Sequence, residues 1–390
     1  MNLLFGRNKP GFDRVLLIVT LLLICLGVVI ISSASIMESG MKFDDDMYQT
    51  KKHLFSIAMA VFAGFICASI PSRIWAKCSL PSFVTVLVLL VLVLLVGRRI
   101  NGATRWLSLG FMNLQPSELL KLVWILYFSS YITRKIKFIS FTFKGFFKPF
   151  LFIGVMTGLL MQQPDMGSSV AVVFITIAML NSAGAGLFKF IIVIGFAVVV
   201  GVLAVVFSPY RMKRYTSFLD PWEDVFGDGY QLTQSLMAYG RGGLTGEGLG
   251  NSYQKLGYLP EAHTDFVTAI FGEEFGFIGM CCLVTLEFLI VCKAFLLSIR
   301  ILKVNAIYQG YIAAGIGSWF CFQTFVNIGA ASGGLPTKGL TLPLVSYGGS
   351  SMIVTVCAIA ILLRIDYEWR NHLISVDAPV KDQAASTKEV

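Results

Sequence analysis

The chain has 390 residues, of which 56% are hydrophobic and only 14% are charged. Soluble globular domains carry roughly 25% charged residues, so this composition excludes an ordinary soluble protein. The net charge is +9, but the basic residues form short clusters between apolar runs, such as RKIK at 134–137, which is typical of membrane-flanking charge and not of nucleic-acid binding. The eight cysteines show no CxxC pair and no zinc spacing, so we predict neither a disulfide nor a metal role for them.

Apolar segments that approach the length of a membrane-spanning helix follow one another along the chain. A spanning helix needs about 20 mainly apolar residues, because the hydrocarbon core is about 30 Å thick. The pattern predicts an all-α, polytopic membrane protein with about ten transmembrane helices and both termini in the cytoplasm. The predicted spans are residues 15–34, 54–70, 80–96, 117–133, 149–162, 168–183, 188–207, 266–297, 305–325 and 345–363.

The domain organisation predicted from this pattern is simple. Residues 1–374 form a single membrane domain, and residues 375–390 form a polar cytoplasmic tail that we expect to be disordered. The longest connection, residues 208–264, joins the seventh and eighth helices and lies on the extracytoplasmic side. A loop of this length without a core of its own is typical of a functional element.

The stretch LPEAHTDFVTAIFGEEFGF, residues 259–277, places acidic groups at the start of an apolar segment. Asp265 is the first catalytic candidate, since a carboxylate at the mouth of a helix bundle is a usable general base. The same side chain at a helix start would satisfy free backbone N–H groups, and the two roles are compatible. His263 completes a loose E-x-H-x-D pattern, for which a hydrogen-bonding or orienting role is favoured over metal ligation.

Glu273 and Glu274 lie eight and nine residues beyond Asp265, which is about 12 Å further along a helix. They are too distant to be its partner in a two-carboxylate mechanism. Ionisable groups at that depth are either functional or paired. For both glutamates we favour ion pairing that holds helices together.

A second cluster is RRINGATRWLSLGFMNLQPSELLKL, residues 98–122. Pro116 suits the first turn of a helix, and Glu118 and Lys121 then lie three residues apart, within ion-pairing reach. A cation near a helix N-terminus opposes the helix dipole, so Lys121 is unfavourable for local stability. This indicates either a functional role or a side chain that extends to the membrane surface. Arg105 is a candidate interfacial anchor or phosphate ligand.

A third cluster, GGLPTKGLTLPLVSYGGSS at 333–351, contains too many prolines and glycines for a continuous helix before Val345. Lys338 supplies a positive charge there. Ser346 and the following glycines and serines could donate to an anion near a helix start, although packing of small residues at a helix contact is the favoured role. In QQPDMGSS at 162–169, Pro164 and Gly167 break the helix, and Asp165 is predicted to contact substrate.

The run GRGGLTGEGLG at 240–250 invites comparison with nucleotide-binding loops. It fails the G-x-G-x-x-G spacing, because Thr245 stands where a glycine is required, and no GK[ST] follows.

Taken together, these motifs closely resemble the SEDS (shape, elongation, division and sporulation) family over nearly the whole chain. The motifs are NGATRWLSLG, QPSELLKL, QQPDMGSS, GLGNSYQKLGYLPEAHTDF, GEEFGFIG and LPTKGLTLPLVSYGGSS. The forms YLPEAHTDF and GLGNSYQKL are similar to the FtsW-type division branch more than to the RodA-type elongation branch.

The resemblance implies an inner-membrane glycosyltransferase that polymerises lipid II into glycan strands at the division septum, with its active site facing the periplasm. It also implies that Asp265 is catalytic and that Glu118, Lys121 and Lys338 are functional. The reaction inverts the sugar linkage, so one base on the acceptor hydroxyl suffices while cations, including Arg105, stabilise the leaving diphosphate. No cofactor is certain, and a divalent cation (Mg²⁺ or Mn²⁺) could assist.

The partners implied by the resemblance are lipid II and the growing glycan strand, a class B penicillin-binding protein, other division proteins and membrane lipid, with no nucleic acid. Two other functions remain open from the residues alone. A lipid II flippase would also show buried acids and broken helices. A non-enzymatic division scaffold would use Asp265 only as a helix cap.

Overall fold

The computed structural model describes residues 11–184 apart from 101, 102, 109 and 111, scattered positions within 185–208, and residues 209–374 apart from 337 and 338. The predicted tail at 375–390 and Lys338 therefore lie outside the described residues. Within them the fold is all-α, with one small sheet. The helices are α1 Arg14–Phe43, α2 Tyr48–Ser69, α3 Ser72–Val96, α4 Pro116–Phe141, α5 Phe143–Gln162, α6 Met166–Ser182, α7 Pro209–Leu219, α8 Tyr230–Gly242, α9 Val267–Lys303, α10 Ile307–Ala331 and α11 Gly349–Arg370.

Nine of the ten predicted spans overlap one of these helices. The seventh, at 188–207, lies mostly outside the described residues, so the total of ten stays a prediction. Seven described helices are long and apolar enough to cross a membrane. The α4 helix is not among them, and α6 is apolar but has only 17 residues.

The bundle has two distinct ends, because successive long helices are joined by short connections. Residues 43–48, 97–115, 163–165, 243–266 and 332–348 gather at one end, which we call the loop end. At the other end, Asp13 caps α1 through hydrogen bonds from the backbone of Val15 and Leu16. There Asp13 also pairs with Lys293 of α9 at 2.8 Å. The candidate functional residues belong to the loop end.

The segment predicted as one span at 266–297 is instead a broken helix. Gly276 interrupts α9 with φ 66° and ψ −168°, which is a conformation that favours glycine. An unbroken helix of 37 residues would be about 55 Å long, well beyond the hydrocarbon thickness. The break separates a first segment, Val267–Phe275, from the apolar remainder.

The glycine-rich run after α8 packs directly on this break. The backbone N–H groups of Phe277 and Ile278 donate to the carbonyls of Gly243 and Leu244, and Gly248 donates to the carbonyl of Glu274. A Cβ on Gly246 would lie 2.2 Å from the Glu274 carbonyl oxygen, so only glycine allows this approach. The run 240–250 therefore binds protein backbone and satisfies the groups that the helix break leaves free.

A three-stranded antiparallel sheet precedes α4, and the predicted all-α pattern did not include it. Its strands are β1 Arg98–Ile100, β2 Ala103–Ser108 and β3 Asn113–Leu114. Ile100 pairs with Ala103, so only the dipeptide Asn-Gly connects β1 to β2. Asn-Gly between two strand-forming runs is the strongest short-range hairpin signal, and it stands in the sequence at 101–102.

Candidate active site

Asp265 lies at the loop end, in the turn just before α9, and is half-buried. The helix begins at Val267 and Phe266 holds the N-cap position, so the capping position itself is not occupied by Asp265. A Cβ on Gly339 would lie 3.0 Å from Asp265 Oδ2, which places the carboxylate against the backbone of the 332–348 segment. The structure therefore brings the Asp265 stretch together with the third cluster of the predicted site.

Two amides of α10 hold the same segment in place. Asn327 donates to the carbonyl of Asp265 at 3.0 Å and to that of Leu340 at 2.6 Å. Gln323, one turn earlier, donates to the carbonyl of Thr341 at 2.7 Å. Because amides four residues apart share one helix face, α10 fixes the Asp265 turn and residues 340–341 together.

The Glu118–Lys121 ion pair forms as predicted, with Nζ 2.8 Å from Oε1. The Lys121 side chain is completely buried, so the alternative in which it extends to the membrane surface is wrong. Its ammonium also donates to Gln323 Oε1 at 3.0 Å and lies 5.2 Å from the Trp319 ring centroid. Gln323 thus links the buried cation to Thr341, two residues beyond the glycine that contacts Asp265.

Arg105 of β2 closes the helix break between α5 and α6. Its Nε donates to the carbonyl of Gln163 at 3.2 Å, and its guanidinium also donates to the carbonyl of Pro164. Asp165 begins α6, and its two carboxylate oxygens accept from the backbone N–H and the hydroxyl of Ser168. In this structure both side chains hold the break, and their predicted contacts with substrate stay predictions.

His263 is buried two residues before Asp265. Its Nδ1 lies 3.0 Å from Oε2 of Glu38 in α1, and its ring meets Tyr347 edge to face with centroids 5.4 Å apart. Its carbonyl accepts from the backbone N–H of Tyr347 at 3.0 Å. The orienting role that the sequence favoured fits this arrangement, in which His263 connects α1 to the 332–348 segment.

The serines of the third cluster are engaged with protein. Ser346 accepts from the backbone N–H of Leu342 at 2.8 Å. Ser350 donates to the carbonyl of Asn113 and accepts from the backbone of Gln115, and Ser351 contacts Thr341 at 2.9 Å. These contacts support the packing role that the sequence favoured for the Gly/Ser run, and the anion-binding role of Ser346 stays a prediction.

Glu273 and Glu274 are fully buried and fasten the loop after α8 to the bundle. Glu273 accepts from the backbone of Tyr253 and Gln254 and from the Ser252 hydroxyl. Glu274 Oε1 accepts from Lys255 at 3.0 Å and from Ser33 of α1 at 2.6 Å. They are paired structural groups, as the sequence favoured, but their partners lie mainly in a loop.

Gln323 and Asn327 belong to the candidate site by their contacts, and the sequence motifs did not identify them. Both are buried in an apolar helix. With Trp319 they recur every four residues on one face of α10. A polar stripe in a membrane helix is a signal for an interior network, and it was readable from the sequence.

The predicted divalent cation finds no ready-made site here. Among the described residues, no three His, Cys, Asp or Glu side chains are grouped closely enough to hold a metal ion.

Comparisons with known proteins agree with this architecture. The family model of the cell cycle proteins FtsW, RodA and SpoVE matches residues 13–371. A probable peptidoglycan glycosyltransferase FtsW of Aeromonas salmonicida (strain A449) is 50% identical over 369 residues, covering 94% of this chain and 93% of the relative. The corresponding protein of Escherichia coli O6:H1 is 45% identical over 359 residues, covering 92% and 87%.

Two solved structures share the fold. A chain from a study of how a peptidoglycan synthase complex coordinates polymerization and crosslinking has a TM-score of 0.74 at 28% identity, covering 92% of this chain and 98% of that one. The rod shape determining protein RodA of Thermus thermophilus has a TM-score of 0.68 at 26% identity, covering 93% and 99%. The chain thus belongs to the FtsW/RodA/SpoVE family of cell cycle proteins, a family of polytopic all-α membrane proteins.

Proposed function

We propose that this chain is a peptidoglycan glycosyltransferase that polymerises lipid II into glycan strands. Relatives that match more than nine-tenths of it, at 44–50% identity, are named as probable enzymes of that activity. The observation that carries the proposal is the placement of Asp265. Its half-buried carboxylate lies against Gly339, in a segment that α10 fixes to the Asp265 turn.

The chemistry requires one base and stabilisation of one leaving group. Lipid II carries an α-linked sugar on a diphosphate and the polymer is β-linked, so a single displacement accounts for the inversion. The acceptor hydroxyl oxygen bonds to the anomeric carbon, the bond from that carbon to the diphosphate oxygen breaks, and the hydroxyl proton passes to Asp265. Partial burial strengthens this step, because charge in a less polar surrounding interacts more strongly.

The cations divide into two roles under this proposal. Lys121 is buried and already pairs with Glu118, so it acts through Gln323 to hold Thr341 and the 339–341 backbone in position. The Cα atoms of Gly339 and Thr341 are separated by at most about 7 Å, so a displacement of Thr341 also moves Gly339. Lys338, adjacent to Gly339 in the sequence, is the proposed ligand of the leaving diphosphate.

The partner and the location are further parts of the proposal. A structural neighbour belongs to a complex that couples polymerization with crosslinking, which supports a class B penicillin-binding protein as the partner. The names of the relatives and the sequence resemblance to the division branch favour the septum. We place the loop end on the periplasmic side of the inner membrane, where acceptor strands are exposed.

Purified full-length chain in vesicles, together with a class B penicillin-binding protein and fluorescent lipid II, tests the function. We expect glycan polymer that disappears on muramidase digestion. Transfer of labelled lipid between leaflets without polymer would instead identify a flippase. The absence of both activities from folded protein in the complex would favour the scaffold.

The features that suggested transport have another explanation in the structure. Glu273 and Glu274 hold the loop after α8, and the break at Gly276 is satisfied by backbone contacts with that loop. The scaffold alternative, in which Asp265 only caps a helix, is distinguished by the absence of both activities from folded protein in the vesicle experiment.

A further inference from the structure

The last turns of α1 lie beside the turn that carries Asp265. Glu38 is four residues before Lys42 on α1, and it contacts both Lys42 and the buried ring of His263. His263 Nδ1 and Glu38 Oε2 are 3.0 Å apart, which is close enough for the carboxylate to be the polar neighbour of this ring nitrogen. A carboxylate contributed by the first helix therefore reaches a residue only two positions from the proposed base.

The contact matters because His263 is held on two sides. Besides the contact with Glu38, its ring packs edge to face on Tyr347 and its carbonyl accepts from the Tyr347 backbone. Tyr347 belongs to the 332–348 segment, in which Gly339 lies against the Asp265 carboxylate. Glu38 thus contacts the turn at His263, and Asn327 of α10 contacts the same turn at the Asp265 carbonyl.

The His263 ring also gives the contact an energetic reason. The side chain of His263 is 7% exposed, and that of Glu38 is 32% exposed. A buried ring nitrogen without a polar neighbour loses its hydration and destabilises the arrangement that buries it. Removal of the carboxylate therefore favours a shift of the His263 ring toward water, and Asp265 is attached to the same short turn.

We propose that Glu38 is a positioning residue of the active site, acting through His263 to hold Asp265 in the geometry for proton abstraction. This inference rests on the proposed function, because it assumes that Asp265 is the base. A misplacement of about 1 Å at a reacting group lowers a rate by up to about 100-fold, so an indirect contact of this kind suffices for a measurable effect.

A simpler role for Glu38 has to be distinguished from this one. Its carboxylate is also 2.5 Å from Lys42, a pair four residues apart on an exposed helix face. Such surface pairs contribute at most about 1 kcal/mol, and they affect stability and not turnover. Lys42, with a side chain 62% exposed, is therefore the matched control, because its removal breaks this pair and leaves the His263 contact intact.

The experiment compares full-length variants in vesicles, with the class B penicillin-binding protein, at several lipid II concentrations. The set is Glu38→Ala, Glu38→Gln, Lys42→Met, His263→Ala, the Glu38→Ala/His263→Ala double variant and Asp265→Asn. We expect Glu38→Ala to lower kcat about tenfold with KM changed less than about twofold. Glu38→Gln, which keeps an oxygen facing Nδ1, recovers part of the loss, and Lys42→Met stays within about twofold of the parent.

The double variant tests whether the effect of Glu38 depends on His263. If Glu38 acts through His263, the double variant is no slower than His263→Ala alone, because the interaction is already lost. Three results would overturn the inference. The losses of kcat in the two single variants could multiply in the double variant, or Glu38→Ala and Glu38→Gln could both keep the parental kcat. The third is an equal loss of kcat in Glu38→Ala and Lys42→Met. If one of these results occurs and Asp265→Asn is inactive, only the positioning role of Glu38 is wrong, and Asp265 can still be the base. If Asp265→Asn is active, both the base assignment and the positioning role are wrong.

Discussion

At the scale of single residues, the candidate site contains one buried ammonium, that of Lys121. The sequence predicted the Glu118–Lys121 pair from its spacing, since residues three apart share a helix face. It did not predict that Lys121 would be completely buried, because the residues that cover it, Gln323 and Trp319, are about 200 positions away in the sequence. Spacing along one helix is a local property, and burial is a property of the assembled bundle.

Removal of Lys121 alone is expected to destabilise the fold strongly. Lys121→Met leaves Glu118, which is only 5% exposed, as a buried carboxylate without its cation. Losses of about 3–5 kcal/mol are typical when one partner of a buried pair is removed. Unfolding in detergent, followed for Lys121→Met, Glu118→Gln and the double variant, measures this effect.

The double variant is the control for that measurement. Its apolar and neutral replacements fill similar volume and leave neither charge unpaired, so we expect it to be more stable than Lys121→Met. Equal stability of Lys121→Met and the parent would show that the pair contributes nothing to the fold.

At the scale of elements, hydropathy predicted where helices lie but not where they break. The segment 266–297 is predicted as one span because Gly276 does not lower its hydropathy. The break depends on contacts with residues 243–248, which approach from another part of the chain. The hairpin of β1 and β2 was the opposite case, because its Asn-Gly signal is local and stood in the sequence at 101–102.

The break at Gly276 makes a second prediction. In Gly276→Ala, the new Cβ would lie 2.4 Å from the backbone nitrogen of Gly246, at a residue with φ 66°. The left-handed backbone alone costs about 1–2 kcal/mol for an L-residue, and the overlap adds to that cost. We expect a lower unfolding temperature in detergent and faster proteolysis between residues 243 and 258.

Gly154 of α5 is the matched control for this substitution. A Cβ there meets no atom within 4 Å, and its backbone φ is not in the left-handed region. Gly154→Ala is therefore expected to leave stability unchanged or slightly raised. A Gly276→Ala protein as stable as Gly154→Ala would show that the loop does not need this close approach.

At the scale of the whole molecule, helices distant in sequence are joined at both ends of the bundle. The candidate site draws on α1, α4, α9, α10 and the 332–348 segment, and no single stretch contains it. At the opposite end, Asp13 of the α1 cap pairs with Lys293 at 2.8 Å and lies 3.7 Å from Arg370 of α11. From the sequence, the motifs could be identified one by one, but their convergence depended on this packing.

The Asp13 pairing predicts an acid-dependent contribution to stability. Burial raises the pKa of Asp13, but the hydrogen bond from Lys293, the backbone N–H of Leu16 and the charges of Lys293 and Arg370 outweigh it, so the pKa lies below its ordinary value. A carboxyl of this kind stabilises the fold above its unfolded pKa of about 3.9, and the contribution is lost as pH falls through the folded pKa.

Asp13→Asn should therefore unfold at a lower temperature than the parent at neutral pH, with the difference shrinking below about pH 4. Asparagine still caps the helix, so the change isolates the charge. The exposed Glu223 provides a control, since Glu223→Gln should leave the unfolding temperature at neutral pH unchanged. A difference for Asp13→Asn that is independent of pH would contradict the pairing.

The most direct test of the proposed mechanism is the rate at which Asp265→Asn makes glycan polymer from lipid II, in vesicles with the class B penicillin-binding protein and at matched amounts of folded protein. Asparagine preserves the size of the side chain and removes its ability to accept the hydroxyl proton. If Asp265 is the base, the rate falls by about 100-fold or more. A variant that polymerises at the parental rate would contradict it.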